Sequence, residues 1–257
     1  MYLGLDGNVA LVTAASRGIG RSVAESLARE GMTVIAAART VGETEEEICE
    51  GRIVPWKADL SDETATEELI ADVVAKYGRL DVVVLNTPGP KILPVLDTTW
   101  ADWEAAQAQL LRPVVVIGTA AARQMREQKS GSLILMASTW VRQPAPGGVL
   151  SAAYRSAAAS FMKSLASELA PYNVRVNQVL PGATGTDRMT GIVEMKSERN
   201  NTSVDDEIKA VVKDIPLGRW AEASEIADAV AFIASTRASF ITGSTMTIDG
   251  GAVRAVH

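Results

Sequence analysis

Short apolar runs alternate with longer helical stripes along the whole chain. Asn8–Thr13, Thr33–Ala37, Ile53–Trp56, Leu80–Leu85, Leu133–Ala137 and Val174–Val179 are compact apolar runs that predict strands. Helical spacing fills the intervals. In Gly18–Gly31 the side chains of Ile19, Val23 and Leu27 fall on one stripe. Glu63–Tyr77, Trp100–Gln128, Ala152–Ala170 and Glu222–Ser235 read as further helices, and Glu43–Glu50 as a short acidic one. Strands apolar on both faces and separated by helices predict a parallel sheet covered on each side. Right-handed crossovers then leave an α/β fold, a single doubly wound Rossmann-type domain over residues 1–257 with about seven strands.

Residues Asp187–Asp214 break the rhythm. They are polar, charged and weakly periodic, and include Lys196-Ser-Glu-Arg-Asn-Asn201. A long excursion beyond the C-terminal edge of a parallel sheet predicts a lid or binding loop, with a disordered surface insertion as the alternative.

Composition narrows the partners. The 257 residues are 47% hydrophobic, enough for one large core. A net charge of -6 gains nothing from a phosphate backbone, so no nucleic-acid partner is expected. With no basic-then-apolar leader and no apolar run of membrane-spanning length, a cytoplasmic protein without membrane contact is expected. The only cysteine, Cys49, cannot form an internal disulfide and is expected on the surface of the acidic helix. The only histidine, His257, ends the sequence, so neither an interior histidine base nor a metal site is expected.

The first strand runs directly into Thr13-Ala-Ala-Ser-Arg-Gly-Ile-Gly20 and then a helix. Gly18 and Gly20 let the backbone approach a pyrophosphate at the helix N-terminus, with Thr13, Ser16, Arg17 and Ile19 completing the turn. A cofactor with a free ribose diol calls for an acid at the end of the second strand. That strand ends Ala36-Ala-Ala-Arg39 instead. Arg39 and Arg17 suit a ribose 2′-phosphate, which predicts NADP(H).

Further segments carry a resemblance. They are Asp59-Leu60, Asn86-Thr-Pro-Gly89, Pro181-Gly182 with Thr186, Pro216-Leu-Gly-Arg219, and Phe240-Ile-Thr-Gly243 through Asp249-Gly-Gly251. With the glycine-rich turn, they make the chain resemble a short-chain dehydrogenase/reductase over nearly its whole length. The resemblance implies an adenine contact at Asp59-Leu60. It assigns Asn86 to the element after the fourth strand, and Pro181, Gly182 and Thr186 to the hold on the nicotinamide amide. Ala14 stands where the family has its first motif glycine. The resemblance also implies a small-molecule substrate and a homo-oligomer, commonly a tetramer, with Ala157-Ala-Ala159 suited to close helix contact.

The family works with Asn, Ser, Tyr and Lys. Ser138 matches the Ser. Counting forward from Ser138, and backward from Ser164-Leu-Ala-Ser-Glu-Leu-Ala-Pro171, sets Ser151 at the Tyr and Arg155 at the Lys. Choosing Tyr154 instead needs a three-residue slip and puts Ala158 at the Lys. Leu110 stands at the Asn. Pro113 in the same helix frees the Gln109 carbonyl, either to anchor a water or as a simple packing kink. Ser138, Ser151 and Arg155 form a clamp for a developing alkoxide, with Arg155 also on the nicotinamide ribose. Tyr154 shares a helical face with Ser151 and either supplies a displaced phenol or packs. Lys91, Trp140 and Arg142, on loops expected near the pocket mouth, either bind an anionic substrate or are solvated.

Three readings remain open at this point. The first is an NADP(H)-dependent oxidoreductase acting on a carbonyl or alcohol, or on an activated C=N or C=C. The second is a non-redox dehydratase, isomerase or cyclase. The third is a non-catalytic partner subunit. Fold alone does not choose among them.

Overall fold

The computed structural model describes residues 2–256, so His257 lies outside the described residues. One eight-stranded sheet runs through it. Its strands are β1 (Val9–Thr13), β2 (Thr33–Ala38), β3 (Glu46–Ile48), β4 (Gly51–Lys57), β5 (Val82–Leu85), β6 (Gly131–Met136), β7 (Val174–Pro181) and β8 (Thr245–Ile248). They lie in the order β3-β4-β2-β1-β5-β6-β7-β8, all parallel except the β3–β4 pair. The helices are α1 (Gly18–Arg29), α2 (Glu63–Tyr77), α3 (Trp100–Leu110), α4 (Arg112–Gln128), α5 (Val149–Leu169), α6 (Asp187–Asn200), α7 (Val204–Val212) and α8 (Ala223–Ala234). This is the doubly wound α/β fold that the alternation predicts.

The two faces of the sheet are buried in separate apolar clusters. Successive strand residues point to opposite faces. Leu11, Leu133 and Val176 therefore pack with Ile117 of α4 and Met162 of α5. Val12, Val84 and Ile134 pack on the other side with Leu27 of α1 and Val230 of α8. Every residue of β1 and β5 is buried, which explains why those segments lack alternation.

Three expectations need correction. Glu43–Glu50 is not a helix. It contributes β3, paired Glu46↔Ile53 and Ile48↔Gly51, with Cys49 in the turn at φ 54. Clustered like charges disfavour a short helix, whereas in the hairpin Arg21 bonds to Glu46 and Arg52 pairs with Glu45. Cys49 is exposed, but on this turn. Gly51 is required here, because a Cβ would sit 2.5 Å from Met32 O.

The expected helix Trp100–Gln128 is two helices. Leu111 closes α3 and opens α4, and Pro113 lies in the first turn of α4. Proline lacks the N–H that Gln109 O would accept, so the helix breaks rather than bends. Third, the stretch 187–214 is neither an irregular loop nor a disordered insertion. It folds as α6 and α7, capped by Thr186 and Ser203. Only Val193 is buried on α6, which is why its periodicity is faint. Among the described residues, no helix is long and apolar enough to cross a membrane.

Arg175 of β7 ties the C-terminal part together. Its Nη1 donates to Ile233 O at 2.7 Å, and its Nη2 to Ala234 O at 2.8 Å and Ser235 O at 3.0 Å. It thereby satisfies carbonyls that the end of α8 leaves open. Arg175→Met strips these donors and is expected to cost about 2–4 kcal/mol, read as a lower urea midpoint. A loss below about 1 kcal/mol would show that water replaces the arginine fully.

Candidate active site

The strand order reverses between β1 and β5, which opens a crevice at their C-terminal ends. Thr13 extends the β1–β5 pairing by one side chain. Its Oγ1 donates to Asn86 O at 2.6 Å and accepts from Asn86 N at 2.9 Å. Asn86 Nδ2 then donates to Ala14 O at 3.3 Å. A Cβ on Gly20 would run into that carbonyl and sit 2.6 Å from Asn86 Nδ2, so no larger residue fits. Ala14 itself is left-handed at φ 49, the conformation a glycine takes without cost. Ala15 N donates to Ala37 O, which fastens the turn to the end of β2.

The turn is built to receive an anion. Arg17 is the N-cap of α1, no side chain caps it, and no acid lies in the first turn. The first N–H groups of α1 are thus left for a ligand, and the helix dipole favours negative charge there. Ser16, Arg17 and Arg39 are exposed around it, and Ile19 is half-buried below. Asp59 accepts from Ser61 N at 2.9 Å and Ser61 Oγ at 2.7 Å. These bonds, with a smaller pull from the Arg39 charge, hold its carboxyl below the usual range. Leu60 is buried beside it. A glycine cradle with free donors, flanked by cations, suits a dinucleotide carrying an additional phosphate.

The other half of the crevice centres on Arg155. α5 turns Ser151 and Arg155 inward, leaving them 6% and 8% exposed. Arg155 Nε donates to Ser151 Oγ at 3.2 Å, Nη1 to Met136 O at 2.9 Å, and Nη2 to Thr87 O at 3.3 Å. The guanidinium thus staples α5 to the ends of β5 and β6. Among the described residues it meets no carboxylate. Burial, and then the charge of Arg188, lowers its pKa to about 10, so it stays cationic at neutral pH. Ser138 lies two residues beyond Met136, and its Oγ accepts from Trp140 N at 3.2 Å. Thr87 Oγ1 is buried without a partner among the described residues.

The remaining candidates have other duties. Tyr154 packs edge-on against Trp103 of α3, with ring centroids 5.8 Å apart. Among the described residues it has no hydrogen bond to Ser138, Ser151 or Arg155. Lys91 is ion-paired with Asp102 at 2.8 Å, which is the main reason that carboxyl falls to about 2. Trp140 covers Gly148, where a Cβ would sit 2.6 Å from its ring. The Gln109 side chain reaches Gly89 O at 3.4 Å.

The start of α6 bridges the crevice. Pro181 ends β7, and Gly182 approaches Asp249 closely enough that a Cβ would sit 2.7 Å away. Thr186 caps α6, and its methyl lies 3.5 Å from where a Gly18 Cβ would stand. Asp187 reaches Arg17 at 4.0 Å. On the far side Arg188 donates to Gly89 O at 3.1 Å and Pro90 O at 2.9 Å. Its guanidinium fills the space where a Gly89 side chain would go. Sequence reasoning missed Arg188 and Thr87. The available signals were their places two residues after Thr186 and directly after Asn86.

A family model described as Enoyl-(Acyl carrier protein) reductase matches residues 13–253. The chain is 31% identical to the 3-oxoacyl-(acyl-carrier-protein) reductase of Thermotoga maritima over 254 residues, covering 97% of this chain and 99% of that one. It is also 31% identical to the 2,3-dihydro-2,3-dihydroxybenzoate dehydrogenase of Bacillus subtilis over 260 residues, covering 98% of each. Among solved structures, L-sorbose reductase from Gluconobacter frateurii superposes with a TM-score of 0.91 over all of both chains at 24% identity, a likeness of fold. A match across most of the chain, together with relatives above 30% identity, shows that the chain belongs to the short-chain dehydrogenase/reductase family.

Proposed function

We propose that this chain is an NADP(H)-dependent oxidoreductase whose atypical site moves a hydride to or from a small carbonyl or alcohol, or an activated C=N or C=C. The observation that carries the reading is the uncapped start of α1 beside Arg17, with Arg39 rather than an acid just past β2. The relatives support it. YwfH is described as an NADPH-dependent reductase, and the sorbose reductase was crystallised with NADPH. On this reading Thr13, Ser16, Arg17, Gly18, Ile19 and Gly20 hold the pyrophosphate, and Arg39 with Arg17 the 2′-phosphate. Asp59 and Leu60 take the adenine, and Asn86, Arg155, Pro181, Gly182 and Thr186 the nicotinamide half. The cofactor supplies or accepts the hydride.

The chain's own residues act by electrostatics. Ser138 and Ser151 orient the substrate oxygen. Arg155, a fixed charge with no acid beside it, stabilises negative charge developing there. Neither serine is a competent general acid near neutral pH. Turnover of plain ketones should therefore be slow, and substrates needing little protonation preferred. Residues 1–257 form one domain in this reading, with α6–α7 as its lid. Family resemblance supports a cytoplasmic homotetramer.

Two outcomes follow. Arg39→Asp is expected to raise the Kd for NADPH at least about tenfold while sparing NADH, measured by fluorescence titration. A native preference for NADH would sink the NADP(H) assignment. The double variant S151Y/R155K restores the family's acid and lysine, and should raise turnover of simple ketones by about a hundredfold or more. An unchanged rate would move the reading towards non-redox chemistry.

A further inference from the structure

Beyond Arg188, α6 turns a mixed face towards a cavity of about 430 Å³. Ile192, Met195, Lys196 and Arg199 share that face by their three- and four-residue spacing, and all four line the cavity. The opposite wall comes from Ile92 and Val95 in the loop after β5. That loop runs on from the carbonyls of Thr87 and Pro88, held by Arg155, and those of Gly89 and Pro90, held by Arg188. The floor includes Gly147, four residues before Ser151. Its φ is +80, its carbonyl accepts from Leu93 N at 3.0 Å, and a Cβ would sit 2.9 Å from Ile92 Cγ2. The cavity is thus walled by the segments that follow the acceptors of Arg155 and Arg188 and precede Ser151, and its size takes a small organic molecule.

Its lining makes two demands. Val95 and Met195 are left 58% and 59% exposed, so the apolar wall lacks a cover. Lys196 is half-buried, and among the described residues neither it nor Arg199 makes an ion pair. The nearby acid that feels both cations, Glu207, is engaged by Asn200 Nδ2 at 2.9 Å and Thr202 Oγ1 at 2.7 Å. A neutral apolar ligand would leave the cations with only Glu207 and water to answer them, and a small free anion would leave the wall wet. A molecule with an apolar body and an anionic end answers both.

We propose that the substrates are apolar oxo compounds ending in a carboxylate or phosphate monoester, with the body against Ile92, Val95, Ile192 and Met195 and the anion on Lys196 and Arg199. This rests on the hydride-transfer reading for its reacting carbonyl. The test uses methyl ketones of graded chain length, each ending in a carboxylate, a phosphate monoester or a neutral primary amide. Binding to the NADPH-loaded enzyme is measured by calorimetry at low and high salt, and turnover separately. The expected result is anion binding at least about tenfold tighter than the amide, weakened by salt. The double variant K196Q/R199Q should erase that margin with NADPH affinity unchanged. The stronger of the two anion series then identifies the terminal group. Equal binding of acid and amide, or a margin that survives the double variant, overturns the proposal. Anion preference without turnover would retain this site and count against hydride transfer to plain ketones. Turnover without preference would do the reverse.

Discussion

A guanidinium held out of water, with no carboxylate beside it among the described residues, governs this site. Burying a charge is costly unless polar atoms replace its hydration. For Arg155 those atoms are neutral: the carbonyls of Met136, Thr87 and Pro88, and the Ser151 hydroxyl. The bonds fix where β5, β6 and α5 meet, and none of them cancels the charge. The crevice therefore keeps a positive centre at neutral pH, which Arg188 at the start of α6 adjoins. A lysine would offer a compact ammonium in place of a planar fork, and could not reach this set of acceptors in the same way.

The two halves of the crevice are physically one. Thr13 and Asn86 lock the glycine-rich turn to the end of β5. The next residues of that loop are the acceptors of Arg155, and those after them the acceptors of Arg188. A ligand that ordered the turn would feel both arginines through one short stretch of backbone. The start of α6 closes the circuit by touching Arg17 on one side and Gly89 on the other.

The fold and the glycine-rich turn were legible because they rest on period and local chemistry. Continuous apolar runs such as Val82–Leu85 can only be buried strands, and Gly20 sits where a Cβ would strike Ala14. Pro113 marked the place, but the reading was a disturbance within one helix where the structure has two. The hairpin at Glu46–Ile48 was not, because Arg21 and Arg52, which pair with its glutamates, come from other elements. α6 was hidden by its exposure, since a helix that buries one side chain leaves almost no stripe. Counting along the chain proposes Arg155 at the lysine position of the family. Its set of carbonyl partners, and the part played by Arg188, needed three dimensions. Tyr154 was ambiguous in sequence, and its edge-on contact with Trp103 needed three dimensions to be seen.

The most informative measurement is isotope transfer from NADPH deuterated at the transferable position, in a panel of ketones, enones and imines read by mass spectrometry. Deuterium should appear in product from at least one class, most readily an activated C=N or C=C, because Arg155 supplies charge but no ready proton. Tight NADPH binding with no deuterium in any product would contradict the redox account and leave the crevice to a different chemistry.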